Sequence, residues 1–240
     1  MEKSNATEEP FFPFGQCHLA ALPIRAEPSH PSEMVTQLLY KEQYQLLCSS
    51  GDWHQIKCQH DGYEGWLPTS QIWEITADQY HAPISHRQTA LLTTDKEKSM
   101  LSYLGTPSYD QPTATAVAPN SSVELALQYI NTPYLWGGRT PLGIDCSGLV
   151  QVVFATLGKN LPRDAYQQAT IGQQIDWQNR KIGDVVFFEN DQNRITHVGI
   201  LSDMDKIVHA SAWVRVDLLT KEGIFHGNKK THQLSHLQRF

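Results

Sequence analysis

The stretch G-G-R-T-P-L-G-I-D-C, residues 137–146, followed at once by S-G-L-V-Q-V-V-F (147–154), decides how this chain is read. A loop broken by glycine and proline turns into an apolar helix, and Cys146 stands at the turn. Leu149, Val152, Val153, Phe154 and Leu157 recur at helical spacing, and Gly158 is a natural stop. A thiol at a helix start lies in the partial positive charge of the unpaired N–H groups, which favours the thiolate. Further out, His197 in I-T-H-V-G-I-L and His209 in K-I-V-H-A-S interrupt apolar, strand-like runs, where a buried polar group needs a partner. Each residue alone has a plainer reading. A buried free cysteine is usually a small hydrophobe, and a lone strand histidine is usually a satisfied core or surface group. Together they supply a nucleophile, a base and a group to orient the base, the requirements of thiol-peptidase chemistry.

Composition narrows the class. Hydrophobic residues make up 40% and charged residues 18% of 240, an ordinary globular balance, and the net charge of −6 argues against a nucleic-acid partner. No apolar run approaches a membrane span. The acidic opening M-E-K-S-N-A-T-E-E-P lacks the apolar core of a secretory signal, and with Cys17, Cys48, Cys58 and Cys146 read as free thiols it gives a cytoplasmic expectation. Cys and His show no ordered ligand spacing, so neither a metal nor another cofactor is expected. The histidines near the end, His226, His232 and His236, are irregularly spaced and read as a poor metal tract.

Residues 15–78 read as short strands at hairpin spacing, with S-G-D (50–52) and H-D-G (60–62) as turns, hence a small all-β barrel. Residues 79–120 read as a connector, with T-A-L-L-T-T and M-L-S-Y-L-G as strands of a reduced second β module and a Pro/Ser/Thr-rich linker over 106–122. Residues 121–240 begin with helices: Ser121 and Glu124 form a capping-box pattern, and Pro133 stops that helix. Asp164 with Gln167 can cap a third, short helix. V-V-F-F, I-T-H-V-G-I-L, K-I-V-H-A-S and W-V-R-V-D-L-L then switch to β runs, an α+β layout of helices packed on an antiparallel sheet. Arg163 reads as a surface charge or a cap, and Asp184 in G-D-V-V as a turn residue.

Six ordered blocks, P-Y-L-W-G-G (133–138), D-C-S-G-L-V (145–150), L-P-R-D-A (161–165), K-I-G-D-V-V-F-F (181–188), T-H-V-G-I (196–200) and H-A-S (209–211), closely resemble the NlpC family of papain-like bacterial cell-wall peptidases. P-I-R-A-E-P-S, G-D-W-H-Q-I and D-G-Y-E-G-W-L-P resemble bacterial SH3-like modules. The resemblance implies that Cys146 is the nucleophile, His197 the base and His209 its orienting partner, with the Tyr134 hydroxyl and the Cys146 backbone N–H as oxyanion donors. Within the family the chain looks most like the subgroup that cuts γ-D-glutamyl–L-diamino acid bonds in short murein peptides with a free N-terminal L-Ala. That likeness implies that Asp164, eighteen residues after Cys146, holds the free amine. It further implies that Asp145, Ser147, Glu27 and Tyr63 help to bind substrate, the last two from the β module acting as a lid. The partner implied is a small murein peptide, and the role implied is peptide recycling. A muramoyl–L-Ala amidase of the same fold and an inactive wall-peptide binding protein are the alternatives, with an acyltransferase as a further rival.

Overall fold

The computed structural model describes residues 13–95, 100–110 and 121–240. The first unit is built from β1 (Phe14–Gln16), β2 (Ala21–Arg25), β3 (Met34–Leu39), β4 (Gln43–Ser50), β5 (Trp53–Cys58), β6 (Glu64–Pro68) and β7 (Glu74–Ile75), in the order β3-β2-β6-β5-β4-β1-β7. Alternation along the strands places Leu22, Ile24, Leu38, Ile56 and Leu67 inward, with Tyr44, Cys17 and Cys58, as the core of a small SH3-like barrel. A one-turn helix, α1 (Ala77–Tyr80), is capped by Thr76.

Between the halves lie two short antiparallel pairs: β8 (His86–Arg87) with β11 (Pro107–Ser108), and β9 (Leu92–Asp95) with β10 (Met100–Tyr103). Most of the Pro/Ser/Thr-rich linker, residues 111–120, and the acidic opening, residues 1–12, lie outside the described residues.

In the second half, α2 (Ser122–Leu127) starts at Ser121, whose hydroxyl accepts the N–H of Glu124 at 3.1 Å. A two-residue ladder follows, β12 (Arg139–Thr140) with β13 (Gly143–Ile144). It leads directly into α3 (Cys146–Thr156), and α4 (Ala165–Gln168) comes next. The sheet consists of β14 (Gln173–Ile175), β15 (Val185–Glu189), β16 (Ile195–Asp203), β17 (Lys206–Ser211), β18 (Trp213–Thr220), β19 (Gly223–His226) and β20 (Lys229–Arg239), all antiparallel. Because β20 pairs with both β15 and β19, strands β15 to β20 close into a ring. Strands β15, β16 and β17 are buried along most of their length on both faces. Val185, Phe187, Val198, Ile200, Val208 and Ala210 pack on the helices. Val186, Phe188, Leu201, Ile207, Leu219, Ile224 and Leu237 fill the other side. This is why V-V-F-F is apolar throughout instead of alternating.

The two halves share a seam along β3. Gly137 takes φ +76°, and a Cβ there would stand 2.3 Å from the Met34 carbonyl oxygen, so only glycine lets the loop before Cys146 lie on the barrel. Beneath it, Arg139 forks onto Glu42 with Nη1–Oε2 at 2.6 Å and Nη2–Oε1 at 2.9 Å, both side chains buried. Arg163, read from sequence as a surface charge, is 1% exposed and donates to Thr36 Oγ1 across the same seam at 2.9 Å. Asp184 accepts the Lys181 N–H in the predicted turn and also pairs with Arg239.

Candidate active site

Cys146 begins α3 because Asp145 caps it: Asp145 Oδ1 accepts the Gly148 N–H at 2.7 Å, and Oδ2 accepts the Gly137 N–H at 2.8 Å. Arg163 binds the same carboxylate through Nη1 at 3.0 Å and Nη2 at 2.5 Å, and it also donates to Ser147 Oγ at 2.9 Å. Asp145 and Ser147 therefore border the cleft with their polar atoms already committed to the fold.

The thiol itself departs from the expectation drawn from the helix start. Burial and the Asp145 carboxylate push it up to about 12, against the pull of the Val198 and Ser147 backbone N–H groups. At neutral pH Cys146 is a thiol that needs a base. Among the described residues no hydrogen bond joins Sγ to an imidazole. Instead the sulfur packs on β16 at Val198, the residue after His197.

His197 and His209 stand on adjacent strands, β16 and β17, and both are buried. His197 Nε2 lies 2.8 Å from His209 Nδ1. Burial, then His232, His209 and Arg215, push His197 well below the usual histidine range, so its ring is neutral. Burial likewise lowers His209 against the upward pull of Asp217. Asp217 on β18 accepts from His209 Nε2 at 3.1 Å, from Arg215 Nε at 2.8 Å and from His226 Nδ1 at 2.9 Å. Asp217 is not among the residues that motif and spacing single out in the sequence. Its signal was an aspartate at an inward position of an alternating strand, R-V-D-L-L, in which 217 and 219 are buried and 216 and 218 exposed.

His232, set aside as part of an irregular tail, stacks on the His197 ring with centroids 4.0 Å apart and planes 22° apart. One ligand atom each from His197, His209 and His232 lie within 4.8 Å of one another. The trio is joined by that stack and by the 2.8 Å hydrogen bond between His197 and His209.

The cleft has a volume of 440 Å³ and reaches from Cys146 to the barrel. Tyr134 lines it, held by its own N–H on the Ala212 carbonyl at 2.9 Å, and burial raises its phenol so that it remains an O–H donor. At the far wall Tyr63 donates to Asp164 Oδ2 at 3.3 Å. Asp164 is the N-cap residue of α4, and burial raises its carboxyl above the ordinary value despite Arg163 and the Tyr63 bond. Glu27 is not in this wall. It sits exposed in the β2–β3 connection, where its N–H donates to Ser32 Oγ. Glu33, later in the same connection, lines the cleft and accepts the Trp136 indole N–H at 2.5 Å. Sequence spacing did not tell which acid of that loop faces the second half, because the loop folds back on itself.

Comparison with known proteins finds matches over both halves of the chain. Residues 131–232 match the model of the NlpC/P60 family, and residues 24–72 match that of the bacterial dipeptidyl-peptidase SH3 domain. Gamma-DL-glutamyl hydrolase of Bacillus subtilis (strain 168) is 37% identical over 163 residues, 66% of this chain and 39% of that protein. Gamma-D-glutamyl-L-lysine dipeptidyl-peptidase of the same organism is 26% identical over 73% of this chain and 71% of that protein. The crystal structure of an NlpC/P60 family protein from Bacillus cereus ATCC 10987 superposes with a TM-score of 0.73 at 18% identity, covering 94% of this chain and 99% of that one, which speaks for the fold. The chain thus carries an NlpC/P60 domain, preceded by a bacterial dipeptidyl-peptidase SH3 domain.

Proposed function

We propose that the protein hydrolyses the γ-D-glutamyl–L-diamino acid bond of short murein peptides that carry a free N-terminal L-Ala, within the cell, as a step of peptide recycling. The observation that carries this reading is the acidic wall of the cleft. Asp164, Tyr63 and Glu33 stand opposite Cys146, and the lining residues include no lysine, arginine or histidine. Such a wall suits an ammonium group. The names of the two Bacillus subtilis relatives support the γ-glutamyl bond.

In this reading His197 Nδ1, the ring nitrogen not engaged by His209, takes the Sγ proton as sulfur bonds to the γ-carbonyl carbon. The carbonyl π pair moves to oxygen, where the Cys146 N–H and the Tyr134 hydroxyl receive it; two preorganised donors of this kind are worth several kcal/mol in general, roughly 3 or more. Collapse breaks the C–N bond, and His197 returns its proton to the leaving amine. Water then repeats the sequence on the thioester, freeing L-Ala-D-Glu. The test is product analysis after incubation with L-Ala-γ-D-Glu-L-Lys and with the diaminopimelate analogue. Release of L-Ala-D-Glu by the wild type and none by Cys146→Ala is expected. Release of L-Ala alone, or equal release by both proteins, would refute the assignment. Binding without any turnover would favour the binding-protein alternative.

A further inference from the structure

We propose that Asp217 is a positioning residue for the peptidase reaction: it fixes the tautomers of His209 and His197 in sequence, so that His197 Nδ1 is left as the base for Cys146. This rests on the peptidase reading and adds to it a group that acts through two others.

The steps follow from donor and acceptor rules. Asp217 as a carboxylate only accepts hydrogen bonds. Its Oδ2 lies 3.1 Å from His209 Nε2, so the proton of a neutral His209 sits on Nε2. His209 Nδ1 then carries a lone pair. That lone pair is 2.8 Å from His197 Nε2, so the neutral His197 holds its proton on Nε2 and donates it. Nδ1 of His197 is left with its own lone pair free. Reversing any one bond would put a proton on Nδ1 of His197 and remove the base. When His197 accepts the Sγ proton, the imidazolium keeps its Nε2–H bond to His209, and no proton needs to reach Asp217.

The rest of the surroundings fits this role. Asp217 is 7% exposed, and its oxygens are held on the outer side by Arg215 Nε and His226 Nδ1. Arg215 in turn stacks on Trp213 with its guanidinium 4.7 Å from the ring centroid. Three donors hold the carboxylate well below the ordinary aspartate value despite its burial, so it stays ionised wherever the histidines are neutral. The groups facing the pair of histidines are Asp217 and Arg215 on β18, His226 on β19 and His232 on β20. Only Asp217 among them is an acceptor for His209 Nε2.

The wild-type protein supplies the first test. Long-range ¹⁵N–¹H spectra of ¹⁵N-histidine-labelled protein should show His197 and His209 as Nε2–H tautomers at neutral pH. An Nδ1–H tautomer at His209 would overturn the proposal whether or not any peptide is cleaved. The second test uses Asp217→Asn and Asp217→Ala, with kcat and KM on L-Ala-γ-D-Glu-L-Lys and with site-resolved alkylation of Cys146 by iodoacetamide. Asp217→Ala should lose at least about tenfold in kcat with KM within about twofold, as expected when a base is misoriented and substrate contacts are intact. Asp217→Asn, which keeps an acceptor but not the charge, should retain more activity and shift the acid limb of Cys146 alkylation to lower pH. Unchanged kcat and an unmoved alkylation profile in folded Asp217→Ala would refute the role. If the wild type cleaves no peptide, the substrate reading fails, and the alkylation and tautomer measurements still decide on Asp217.

Discussion

A protonated thiol at Cys146 makes the readiness of its base the controlling quantity. His197 lies well below the ordinary histidine value of 6.5 because its ring is buried beside His232, His209 and Arg215. In the proposed mechanism the neutral ring is the active form. Activity is therefore present above the His197 pKa and lost as pH falls through it. The acid limb of kcat/KM should lie clearly below pH 6.5, and a limb at or above that value would show that His197 is more solvated than its burial implies. Among the thiols, Cys48 is exposed, whereas Cys17 and Cys58 are buried and their pKa values are raised by burial. In peptide mapping after iodoacetamide treatment, Cys48 and Cys146 should be the labelled positions, and only the Cys146 adduct should track loss of activity. Cys146 could be picked out from the sequence because it stands at the start of an apolar helix, and His197 and His209 because they interrupt apolar strands, whereas Tyr134 came only through the resemblance carried by P-Y-L-W-G-G. Asp217, Glu33 and His232 could not, since their significance arises only when strands far apart in the chain are brought into register.

At the scale of elements, α3 owes its start to one buried ion pair. Asp145 is at once the helix cap and the partner of Arg163, whose planar fork reaches the carboxylate, Ser147 Oγ and Thr36 Oγ1 together. An ammonium cannot make that set of bonds. Arg163→Lys should lower the unfolding free energy by about 1.5–3 kcal/mol, the worth of hydrogen bonds to a charged group, read from urea titrations. A loss under about 0.5 kcal/mol, the scale of an ordinary surface substitution, would mean that Asp145 is held well enough by the Gly137 and Gly148 N–H groups alone. The helices and the apolar strands β15, β16 and β17 follow from hydrophobic period in the sequence. Strand β20 does not. K-K-T-H-Q-L-S-H-L-Q-R is largely polar, and it becomes a strand because it closes a ring and presents one side outward. Periodicity cannot signal a segment whose ordering comes from pairing with both neighbours.

For the whole molecule, the seam between barrel and peptidase fold is a working part of the site, because Glu33 and Tyr63 come from one side and Cys146 and Asp164 from the other. Arg139 and Glu42 lock that seam from below with both charges out of water. Removing one partner strands the other. Glu42→Ala should cost about 3–5 kcal/mol, and a Glu42→Met, Arg139→Met pair should cost less than the single change. Equal or additive losses would show that the pair contributes little to joining the halves.

The substrate reading is tested most directly by comparing a free with an N-acetylated peptide. If Asp164 holds the L-Ala ammonium, acetylation of L-Ala-γ-D-Glu-L-Lys removes that charge and leaves the carboxylate without its partner. The wild type should then lose about 2–5 kcal/mol in kcat/KM on the acetylated peptide, the cost of truncating one partner of a buried, hydrogen-bonded charge pair. Asp164→Asn should lose most of its activity on the free peptide and little further on acetylation, so the two changes should be strongly non-additive. Comparable kcat/KM for free and acetylated peptides in the wild type would contradict the role of Asp164 and, with it, the proposed substrate.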